Sequence, residues 1–82
     1  MKPKTTVPRR YFMMYLTGKM DADKATRFIL GYDHILNMHK IENETDEALY
    51  LRCPEIKVKL ADCMAQIMEI RKREAEIAGS QL

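Results

Sequence analysis

Eighty-two residues with 46% hydrophobic and 32% charged composition make one small globular domain, which buries only about 60–65% of the surface its unfolded chain exposes. Two Cys exclude a multi-bridge secreted framework and favour a reducing, cytoplasmic compartment, and the longest apolar run, Tyr11–Leu16, is far short of the ~20 residues needed to cross a bilayer or the about 7–15 of a signal-peptide core. The net charge of +2 divides unevenly, with +5 over residues 1–27, −4 over 28–51 and +1 over 52–82, a pattern that can steer a nucleic acid, an acidic protein or a second copy.

Residues 1–7 read as a flexible basic arm that carries Lys2 and Lys4 around Pro3. Pro8 suits a first helical turn, Thr6 is a candidate cap, and Gly18 marks a stop after Leu16. Asp21 is an expected N-cap for a second helix over 22–40, whose stripe Ala22, Ala25, Phe28, Ile29, Tyr32, Ile35, Leu36 and His39 follows spacings of three and four. Gly31 within it costs about 1 kcal/mol against Ala and suggests a close helix–helix approach. Ile41 to Glu44 reads as a link, and Asn43 or Thr45 can cap a third helix that meets Pro54, where it either ends or kinks.

The segment 54–78 is the most regular. Ile56, Leu60, Cys63, Ile67, Ile70, Glu74 and Ile77 form a heptad seam that only Glu74 interrupts, widened by Val58, Met64 and Met68 toward more than one neighbouring helix. Gly79 and Ser80 end it, with 79–82 as a frayed tail. No strand-like alternation or internal repeat is present. The expected fold is all-α, a single helical domain over 8–78 of three to four helices with a long C-terminal helix. At ~1.5 Å per residue that helix spans about 37 Å against about 28 Å for helix 22–40, so part of its seam should overhang and take up a homodimer or another protein.

Catalytic and metal chemistry find little support. His34 and His39 diverge by about 140° on a helix, and Cys53 and Cys63 form no Cys-x-x-Cys pair. The lone Ser80, the capping-type acids Glu42, Glu44, Asp46 and Glu47 and three isolated glycines carry no nucleophile or phosphate loop. No enzyme activity, small-molecule substrate or cofactor is expected. The run Ala48–Arg52 resembles the Leu-Tyr-Arg signature of small mitochondrial helical adaptors, a motif that the inserted Leu51 breaks.

The leading expectation is a small interaction or regulatory protein, of the kind that suits a phage or mobile-element accessory factor. Its partner or dimer face would be Leu60, Ile67, Ile70 and Ile77, with Tyr11, Phe12, Met14 and Tyr15 as a second surface. The alternative is a small DNA-binding transcriptional regulator. It would use Lys2, Lys4, Arg9, Arg10, Lys19, Lys24 and Arg27 on phosphates, around a helix-turn-helix-like segment near residues 11–30. Membrane association is not expected.

Overall fold

The computed structural model describes residues 5–80. Four helices follow one another: α1 (Val7–Leu16), α2 (Ala22–Asn37), α3 (Asp46–Arg52) and α4 (Pro54–Ser80). The described residues form no strand, and the fold is the all-α bundle with a long C-terminal helix.

Local chemistry sets most boundaries. The Thr6 hydroxyl accepts from the Arg9 amide at 3.3 Å, so α1 begins at Val7, one residue ahead of Pro8. At its other end the Lys19 amide donates to the Met14 carbonyl and the Gly18 amide to the Tyr15 carbonyl, the paired closure of a Schellman motif. That closure needs the left-handed backbone which Gly18 adopts at φ 77°. Asp21 caps α2 by accepting from the Lys24 amide at 2.7 Å, and Thr45 caps α3 by accepting from the Ala48 amide at 3.1 Å. Asn43, the other candidate cap, instead takes a positive φ of 66° in the link.

Two ends differ from expectation. Helix α2 stops at Asn37, three residues early, where the Asn37 side-chain amide donates to the Asp33 carbonyl and competes with the helix ladder. The chain then passes through tight turns at His39 and Lys40. Helix α4 runs through Gly79 to Ser80, so those two residues belong to the helix and not to the tail; Gln81 and Leu82, like Lys2 and Lys4 of the expected arm, lie outside the described residues. The Pro54 alternatives resolve as an end. Cys53 leaves the helical region at φ −133°, ψ 77°, since the proline after it disfavours the helical conformation, and Pro54 opens α4.

The core runs along α4. Ile56, Leu60, Cys63, Ile67 and Ile70 are buried against Ala25, Ile29 and Leu36 of α2, Phe12 of α1, Leu49 of α3 and Met20 of the first turn. Helices α1 and α2 pack on each other and on α4, and α3 packs on α4. The overhang expected at the C-terminal end is therefore covered as far as Glu74, which receives the Tyr15 hydroxyl of α1 at 2.8 Å. The molecule is a slab of 47 × 35 × 16 Å with a radius of gyration of 14.9 Å. A compact domain of this length has a radius of about 12 Å.

Because neighbours cover one side of each long helix, several stripe positions fall outside the core. Phe28 and Ile35 of α2 are exposed, as are His39 just past its end and Val58, Met64 and Met68 of α4. Gly31 is exposed too, and no atom outside its own helix backbone lies within 4 Å of where its Cβ would stand. It makes no close approach to another helix of this chain.

Candidate functional site

The expected partner face is largely consumed by folding. Leu60, Ile67 and Ile70 point into the core, and only Ile77, 49% exposed, remains available on that seam. The physical reason is that α1 and α2 both reach α4 and satisfy its bulkiest stripe. Of the second expected surface, Phe12 is buried and Met14 half-buried. Tyr11 stacks on Phe28 with ring centroids 5.1 Å apart. Burial pushes the Tyr15 hydroxyl above its ordinary pKa, and its hydrogen bond to Glu74 adds to that. These aromatics tie α1 down; they do not form a free patch.

The basic residues of the head behave differently. Arg9, Arg10, Lys19, Lys24 and Arg27 are all exposed, and neither ion pair among the described residues uses any of them. Arg10 and Lys19 border a groove of about 410 Å³ with Met13 and Met14, while Lys24 and Arg27 border another of about 360 Å³ beside Phe28. A larger groove of about 690 Å³ lies between the start of α2 and the end of the buried seam, with Asp23, Arg27, Arg71 and Glu74 at its rim. Its mixed charges converge on no single point.

Chemical constellations are sparse. Among the described residues no three His, Cys, Asp or Glu side chains come together as a metal site. Cys63 is fully buried, and desolvation, with Asp33 and Asp62 nearby, pushes its thiol up to about 11, the opposite of an activated nucleophile. The densest polar cluster is a clamp that spacing did not reveal. Arg52 donates from Nε and Nη2 to the two Glu44 carboxylate oxygens at 2.9 and 2.8 Å and from Nη2 to the His39 carbonyl at 2.8 Å. Glu44 also accepts from the Ile41 amide, and with Arg52 as the main cause its carboxyl is held down to about 2. Lys40 pairs with Asp46 beside it. The clamp ties the link between α2 and α3 to the end of α3, which is a structural duty.

What sequence spacing missed is the outer side of the bundle. Phe28, Leu30 and Ile35 are exposed on α2, Met38 just past its end, and Val58, Met64 and Met68 on α4, whose other side is packed. On α4 the signal was present in Val58 and Met68, which fall on the side of the helix away from the buried register. No family model, curated protein or solved structure matches the chain. The exposed faces therefore have to be read on their own chemistry.

Proposed function

We propose that this chain is a small non-catalytic interaction protein, which acts by binding another protein, or a second copy of itself, through helix faces that its own core leaves uncovered. The observation that carries the reading is the double-sided character of α4: one apolar stripe is buried, and Val58 and Met68 on the opposite side are 68% and 62% exposed. Large apolar side chains held on the solvent side of a regular helix suit a partner surface. Exposed methionines suit an adaptable contact face, because the thioether side chain repacks easily.

A photocrosslinking side chain placed at Ile35 or Met68 tests this. Protein adducts that form inside cells at these sites, and fail to form from the opposite, charged rim at Lys59, are the expected result. Adducts to nucleic acid, or none at either apolar site, would overturn it.

A second reading rests on the head. Five basic side chains stand exposed around a helix–turn–helix in which α2 follows α1 after a five-residue turn, 17–21. On that reading the chain is a small DNA-binding regulator. Neutralising Lys19, Lys24 and Arg27 together should then weaken binding to a labelled duplex and flatten its salt dependence by about three counterion equivalents, measured by fluorescence anisotropy.

A further inference from the structure

We propose that the outer face of α4 holds a second copy of this chain in parallel, through the seam Val58, Ala61, Ala65, Met68 and Ala75. The proposal rests on the interaction reading above and names its partner. These five residues are all exposed and follow steps of three and four, with Lys72 filling the one gap, so they form a continuous heptad seam on the side of the helix away from the core. From Val58 to Ala75 the seam covers about two and a half heptads, with charged rows flanking it.

The flanking rows decide the occupant. On one side of the seam stand Glu55, Asp62, Glu69 and Glu76, all acidic. On the other stand Lys57, Met64, Arg71 and Ala78, with no acid among them. Two helices packed antiparallel set each row against its own kind, acid facing acid and base facing base. Packed in parallel, each row meets the opposite row of the second copy, so that the exposed Arg71 faces the exposed Glu76 across the interface on both sides. Within one chain, neither ion pair among the described residues engages any of these groups.

Three further features agree. Alanines at three of the five seam positions let two helix backbones approach closely. Lys72 is the kind of single charged seam residue that fixes register at some cost in stability. The slab shape, with a radius of gyration of 14.9 Å, leaves the outer side of the bundle free to be covered. The copy fits better than an unrelated helix because the chain supplies both complementary rows itself.

Sedimentation equilibrium tests this on the full chain. A mass rising with concentration from 9.6 kDa toward twice that value is expected. Val58→Glu with Met68→Glu should weaken association at least tenfold while leaving the helical circular dichroism unchanged, since both positions are exposed. Arg71→Glu and Glu76→Lys should each be monomeric alone and associate when mixed, because the reversed charges pair only between the two variants. Ala75→Cys should give a disulfide-linked dimer under mild oxidation where the wild-type chain, with its native Cys53 and Cys63, does not. A wild-type chain that stays monomeric throughout overturns the proposal, and so does a dimer that survives the double glutamate variant. A dimer in which Ala75→Cys does not cross-link overturns the parallel arrangement. A monomer that still forms protein adducts at Met68 would leave the interaction reading standing and remove this one.

Discussion

The two sides of α4 carry the same repeat with different residues. The inner seam uses Ile56, Leu60, Cys63, Ile67 and Ile70, mostly branched and bulky, and it is buried. The outer seam uses Val58, Ala61, Ala65, Met68 and Ala75, mostly small, and it is exposed. Periodicity puts a residue on a face; the apolar area it can remove from water decides which face the rest of the chain covers first. At roughly 25 cal/mol per Å², a row of isoleucines outbids a row of alanines for the only helices at hand.

The sharpest way to break this contrast is to truncate one residue on each side. Ile67→Ala should cost about 2–5 kcal/mol by emptying a closed site, whereas Met68→Ala should change monomer stability by no more than about 0.5 kcal/mol. Urea denaturation at a fixed low protein concentration separates the two, and equal losses would mean that the outer face is also part of the core. A smaller effect of opposite sign is expected on α2. Gly31→Ala removes a helix-interior glycine with open space around it and should stabilise by about 1 kcal/mol, while Gly18→Ala, at φ 77°, should destabilise. Thermal melts of both variants check the signs.

The smallest effect belongs to the Glu44–Arg52 clamp at the far end of the inner seam. The Glu44 carboxyl sits at about 2 in the folded chain against an ordinary 4.5. A carboxyl depressed by folding stabilises the fold above its ordinary value, and the contribution fades as pH falls from about 4.5 toward 2. Wild type should therefore exceed Glu44→Gln in stability at pH 6, and the two should converge near pH 2, as read by denaturant midpoints at each pH.

Much of this fold was legible because its determinants are local. Thr6, Asp21 and Thr45 cap their helices within three residues, Gly18 answers a local need for positive φ, and the inner seam announces itself by spacing. The same spacing misassigned Phe28 and Ile35, because a stripe wide enough to include them needs neighbours on two sides of α2, and which sides are covered is a tertiary matter. Of the candidate surfaces, the basic head residues could be read directly, since exposure is the default for unpaired Lys and Arg. Of the expected partner face, Leu60, Ile67 and Ile70 carry the stronger repeat and are buried, because the stronger repeat is what the chain uses for itself. The Arg52 clamp joins residues eight and thirteen positions apart across an irregular link, a separation that matches no helical or strand period.

Cys63, at the middle of the inner seam, is shielded twice over, by the absence of any solvent-exposed surface and by a thiol held near 11. Alkylating reagents attack the thiolate, so both shields fall together only when α4 lifts from α2. The residue is thus a native clock for the breathing of the bundle: its labelling rate counts openings of the core, with no foreign probe added.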